Sequence, residues 1–203
     1  MIWSPALIRS FPVLCLLIAS AGITAGPGPS RLSPPSEPAP AFGARGEFDS
    51  VKTDLRDYIW PTDASKSITS SFAEYRTSHF HGGIDISTRG HTGYKVFAAR
   101  DGYVYRIRIT PDGYGKMLYL RHRDGYATTY AHLKTFNGEI NRIVREEQYR
   151  RGTYAIDLTL DPAAHPVRKG DVVAYTGDTG FGPPHLHFEI RDEHLNPINP
   201  MLF

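Results

Sequence analysis

Three short stretches of this chain carry histidines and acids at spacings that suit metal or proton chemistry. The first is His185-Leu186-His187-Phe188-Glu189-Ile190. Read as a β-strand, its side chains alternate between two faces. His185, His187 and Glu189 then share one face, and Leu186, Phe188 and Ile190 share the other. The apolar face can bury itself, which leaves two imidazoles one pleat repeat apart on a rigid element. The same alternation also describes an ordinary half-buried strand, so the chemistry depends on what lies upstream.

The second stretch is His81-Gly82-Gly83-Ile84-Asp85. On a straight strand His81 and Asp85 would stand about 13 Å apart, at ~3.3 Å per residue. Metal–ligand bonds of about 2 Å exclude that geometry for a shared ion. A helix would suit the spacing, but two glycines inside it cost about 1 kcal/mol each. A bent loop remains, and Gly82-Gly83 permits it. Two His and one Asp make a reasonable zinc set, because catalytic zinc commonly keeps three protein ligands and one open position. Water there acidifies to a pKa of roughly 7. A simple hydrogen-bonded turn is the plain alternative for this pair. His79 competes with His81, since it too has strand-face spacing.

The third stretch is Tyr130-Ala131-His132-Leu133. A single His at a strand end gains meaning only beside the other two stretches. No His-Glu-x-x-His helix offers a glutamate base, whereas imidazole titrates near neutrality and can move protons. His91, His122, His165 and His194 belong to no such pattern and read as exposed or turn histidines.

These residues must be held by elements that are mostly β. Strands are expected over 67–72, 94–99, 103–109, 153–160 and 172–176. A hairpin is expected from 116–122 and 126–133 around Asp124-Gly125. In the 103–109 strand, Tyr103, Tyr105, Ile107 and Ile109 should face one way and Val104, Arg106 and Arg108 the other. Asp-Gly-Tyr recurs at Asp101, Asp112 and Asp124, which is repeated turn chemistry. One helix breaks the pattern: Asn137 is a plausible N-cap, and Ile140, Ile143, Val144 and Glu147 have helical spacing to about Arg150.

The whole chain has 203 residues, enough for one domain with a tail. Arg9 precedes a mostly apolar run, and Ala19-Ser20-Ala21 and Ile23-Thr24-Ala25 supply small residues for cleavage. Residues 1–25 therefore read as a secretory signal peptide, too short in apolar length for a stable membrane span of about 20 residues. Residues 26–47 are rich in Pro, Gly, Ser and Ala and read as a tether. Residues 48–203 are the folded domain. The expected location is exported, in the periplasm or cell envelope. The single cysteine, Cys15, lies in the signal segment, so disulfides cannot hold the mature fold. A formal net charge of +2 argues against a dedicated nucleic-acid partner.

Taken together, His81-x-Gly83-x-Asp85, Tyr130-Ala131-His132-Leu133 and Pro184-His185-Leu186-His187-Phe188-Glu189 resemble, in order, the motifs of lysostaphin/LytM-type zinc metallopeptidases. The resemblance runs from about Ile68 to Pro200. It includes Val96-Phe97-Ala98-Ala99-Arg100-Asp101-Gly102, Lys169-Gly170-Asp171 and Gly177-Asp178-Thr179-Gly180. It implies a two-sheet antiparallel β sandwich-like domain of the duplicated hybrid motif type, with an open groove and a short surface helix in an insert. It also implies Zn2+ bound by His81, Asp85 and His187, with His132 and His185 as catalytic neighbours, and hydrolysis of peptide bonds in peptidoglycan. Glu189 is expected to orient a ligand. The alternative is a non-catalytic homologue that binds peptidoglycan and activates a cell-wall amidase. Degenerate members of the family lose metal ligands, whereas all five positions are filled here. Residues 138–166 depart from the compact pattern and are expected to wall the groove, cover it or dock a regulatory partner.

Overall fold

The computed structural model describes residues 57–162 and 164–203. The expected signal segment and tether lie outside the described residues. The strands are β1 (Ile68–Ser70), β2 (Tyr75–Arg76), β3 (His79–Phe80), β4 (Ile84–Ser87), β5 (Lys95–Phe97), β6 (Gly102–Ile109), β7 (Lys116–Arg121), β8 (Ala127–Ala131) and β9 (Leu133–Phe136). Helix α1 (Gly138–Arg151) follows, then β10 (Ile156–Thr159), β11 (Pro166–Val167), β12 (Val172–Thr176), β13 (His185–Arg191) and β14 (Pro197–Ile198). A 3-10 turn, Pro200–Leu202, follows the last strand.

The large sheet has the order β1-β4-β13-β8-β7-β6-β10, with β11 on β6 and β14 on β13. A second sheet has the order β5-β12-β9, and β2 and β3 form a separate hairpin. All pairings are antiparallel. This is the mainly β, two-sheet arrangement expected from the sequence.

One face of the large sheet supplies Ile84, Ile86, Val104, Ile107, Leu118, Leu120, Leu186, Phe188 and Ile190 to the core. Val96, Leu133, Phe136, Val173 and Ala174 from the smaller sheet close over them. Each large side chain buried this way contributes roughly 1.5–3 kcal/mol. The alternation of β13 places Leu186, Phe188 and Ile190 in that core and turns His185, His187 and Glu189 to the opposite face.

Two expectations need correction, and the Asn137 N-cap is met in position but not in its side-chain bond. A bulge between Val104 and Arg106 inserts Tyr105 as an extra residue in the β6–β7 register. Such an extra residue switches the faces that follow it. Val104 therefore points into the core with Ile107 and Ile109, while Tyr105 packs on Tyr119 on the other face. Asn137 occupies the N-cap position of α1, but its side chain donates to the Val172 carbonyl instead of capping. His122 is buried, with Nδ1 donating to the Asp101 carbonyl and Nε2 against Thr128 Oγ1. Among the described residues no helix is long and apolar enough to cross a membrane.

The segment 138–166 packs away from the histidines. Ile140 and Val144 of α1 enter the core, and β10 extends the large sheet beyond β6. With strands ~4.8 Å apart, β10 stands about 14 Å from β8. No described residue of the segment lines the cleft beside His132 and His185.

Candidate metal centre

Register brings the site together. His187 on β13 is paired with Asp85 on β4 and with Ala131 on β8. His132 follows Ala131 at once, so three strands deliver their polar groups to one end of the sheet. His81 arrives through the bend after β3. Gly83 makes that bend possible because a Cβ there would stand 2.2 Å from the Phe188 carbonyl oxygen.

Three atoms converge. His81 Nε2 lies 2.9 Å from His187 Nδ1, and Asp85 Oδ1 lies 3.1 Å from the first and 3.0 Å from the second. All three residues are buried. The opposite nitrogen of each imidazole is committed as a donor. His81 Nδ1 is 2.8 Å from the Ser71 carbonyl, which can only accept. His187 Nε2 is 2.9 Å from Glu189 Oε1. The nitrogens facing inward therefore carry lone pairs.

Two imidazole nitrogens and a carboxylate oxygen at such distances suit a shared cation. A proton can serve only one pair at a time, whereas a divalent ion serves all three. Tetrahedral bonds of about 2.0–2.1 Å would set ligand atoms roughly 3.3 Å apart, close to the separations found. The donor chemistry, two imidazoles and one carboxylate, fits zinc.

Glu189 is itself buried and held by Arg191, whose Nε donates to Glu189 Oε2 at 2.6 Å. Burial opposes the Glu189 charge, but His187 and Arg191 outweigh it and lower its pKa. For Asp85, burial likewise acts against ionisation, and the surrounding imidazoles and the Arg76 guanidinium bring its pKa below the ordinary carboxylate value.

His132 and His185 stand beside the cluster with ring centroids 4.3 Å apart. His132 Nδ1 donates to the Thr179 carbonyl at 2.9 Å, and His185 Nδ1 donates to the Pro183 carbonyl at 2.7 Å. His185 Nε2 lies 3.6 Å from Asp85 Oδ1. Burial, with His185 nearby, pushes the His132 pKa down to about 4, so its ring is neutral at pH 7. His132 has φ +57°, in the left-handed region. That backbone costs on the order of 1–3 kcal/mol for a non-glycine residue. It turns the chain from β8 in one sheet to β9 in the other, and the bond from His132 N–H to the Tyr114 carbonyl holds the turn.

The cluster opens on a cleft of about 580 Å³, lined in part by Arg76, Tyr114, His132, Phe181 and His185. His79 lines the cleft too, but it is exposed and outside the converging set, so the geometry favours His81 over His79. Two cleft residues had no signal in the sequence. Arg76 reaches Asp85 from the β2–β3 hairpin. Tyr114 lies against His187, 4.9 Å between centroids; its Asp-Gly-Tyr context reads only as turn chemistry.

The sequence profile of Peptidase family M23 matches residues 79–149, which include His81, Asp85 and His132. This region belongs to peptidase family M23.

The M23 family is zinc-dependent, and His81, Asp85 and His187 could hold such an ion here. The chain is similar to the murein hydrolase activator NlpD of Escherichia coli, at 30% identity over 150 residues, covering 73% of this chain and 32% of NlpD. It is similar to the DD-carboxypeptidase/endopeptidase Mpg of Neisseria meningitidis, at 32% identity over 126 residues, covering 62% of this chain and 23% of Mpg. It therefore spans a third or less of these relatives' length. Among solved structures it resembles a zinc-containing peptidase from Vibrio cholerae, with a TM-score of 0.52 and 27% identity. That likeness covers 72% of this chain and 40% of the other.

Proposed function

We propose that this M23 domain is a zinc-dependent endopeptidase that hydrolyses peptide bonds in peptidoglycan cross-links or stem peptides. The observation that carries this reading is the convergence of His81 Nε2, His187 Nδ1 and Asp85 Oδ1 beside two further histidines whose Nδ1 atoms are held by backbone carbonyls. In this account His81, Asp85 and His187 hold the ion, which would supply Lewis acidity toward water and the peptide carbonyl. His132 and His185 are the catalytic neighbours. The backbone carbonyls of Thr179 and Pro183 fix their tautomers. One Nε2 takes the proton of the attacking water, and the imidazolium so formed, or its neighbour, protonates the leaving amine. Glu189 and Arg191 hold His187 with its lone pair turned inward. The expected export to the cell envelope puts the domain where its polymer is.

A second reading is favoured by the similarity to NlpD: the domain would bind peptidoglycan and stimulate a separate wall hydrolase. Incubating zinc-loaded protein with purified sacculi, and measuring released fragments by mass, separates the two. The enzyme reading expects peptide-bond cleavage products that vanish with chelator. Fragments that appear only when an amidase is added favour the activator instead.

A further inference from the structure

Arg76 projects from the β2–β3 hairpin into the cleft, with its side chain about one-third exposed. One nitrogen, Nη2, does all of its bonding: it donates to Asp85 Oδ2 at 2.5 Å and to Ser70 Oγ at 2.9 Å. Nε and Nη1 have no partner among the described residues. A guanidinium offers five N–H donors, so three remain unused beside the metal centre.

The charges around it are unbalanced. Asp85 is the one carboxylate among the described residues lining this cleft. With its Oδ1 on a divalent ion and its Oδ2 on Arg76, a single negative charge faces three positive ones. A substrate carboxylate entering here meets both a net positive field and free N–H donors, and charge-assisted bonds of this kind are the strong ones.

We propose that Arg76 is a specificity residue that receives a free carboxylate of the peptide substrate, within one or two residues of the bond to be cut. The reach follows from its contact with Asp85 and a chain advance of roughly 3.3–3.6 Å per residue. The assignment rests on the peptidoglycan-peptidase reading, and it names the substrate class within that reading: peptides bearing an unamidated carboxylate near the scissile bond.

Binding tests this without turnover. Zinc-loaded wild type, Arg76→Ala and Arg76→Lys would each be titrated with a synthetic stem tetrapeptide and with versions in which each carboxylate is converted in turn to a carboxamide. Zinc content would be measured for every variant. Wild type should bind one carboxylate form about 10–100-fold more tightly than its matched carboxamide. Arg76→Ala should bind the two equally, and Arg76→Lys should keep part of the preference. Ratios are compared only between variants with equal zinc content, because the ion itself adds to the positive field that favours a carboxylate. An unchanged preference in Arg76→Ala, or equal binding of all forms by wild type, overturns the assignment alone. Binding of no form by wild type overturns the peptidoglycan reading and the assignment with it.

Discussion

His187 donates its Nε2 proton to Glu189 Oε1 across 2.9 Å, two residues along the same strand face. That bond decides which nitrogen of His187 turns toward His81 and Asp85. A strand can make it because residues i and i+2 share a face, and Arg191 holds the far oxygen of the same carboxylate.

Glu189 should therefore matter for metal affinity without touching the metal. Glu189→Gln keeps the size but allows either nitrogen of His187 to carry the proton. We expect zinc affinity to fall about 10–100-fold, as is usual for such orienting partners. Competitive titration against a chromophoric chelator would measure it, and unchanged affinity would refute the role.

His132→Ala should leave zinc stoichiometry at the wild-type value while lowering turnover on sacculi by about 100- to 10,000-fold, the range of a lost proton-transfer group. Loss of zinc in this variant would show that His132 is instead part of the metal set.

Gly83→Ala places a methyl 2.2 Å from the Phe188 carbonyl oxygen. The backbone of β13 must shift to admit it, and overpacking of this kind costs typically 1–3 kcal/mol. Urea denaturation should show that loss in the presence of chelator, so that it is not a metal effect. Weaker zinc binding should accompany it, because β13 carries His187.

His122 gives the fold a pH dependence of its own. Burial lowers its pKa to about 4, against an ordinary value near 6.5. Between those values the unfolded chain binds a proton that the folded chain does not. Stability from this residue is therefore full above about pH 6.5 and falls as pH drops toward 4, by up to about 3 kcal/mol. His132, also lowered to about 4, acts in the same direction. In chelator, the midpoint of urea unfolding should fall from pH 7 to pH 5.5, and His122→Asn should flatten that fall. An equal fall in the variant would assign the effect elsewhere.

Much of the site was legible from the alternation of one strand. Leu186, Phe188 and Ile190 had to bury, so His185, His187 and Glu189 had to face the other way, and the glycines after His81 implied a bend. What local pattern could not reveal depended on long-range placement. The bulge at Tyr105 changes faces without any glycine to mark it. Arg76 lies in a two-residue strand of a detached hairpin, and only the fold brings it to Asp85. His122 looked like an exposed histidine because nothing nearby in sequence shows that Thr128 and the Asp101 carbonyl enclose it. The segment 138–166 could have covered the cleft, but pairing of β10 with β6 carries it to the opposite side of the sheet.

The position of the bound ion is the most direct test of the site. Crystals of the zinc-loaded protein, measured at the zinc absorption edge, should give an anomalous peak about 2.0–2.2 Å from His81 Nε2, His187 Nδ1 and Asp85 Oδ1. A peak at His79 or elsewhere, with none between those three atoms, would contradict it.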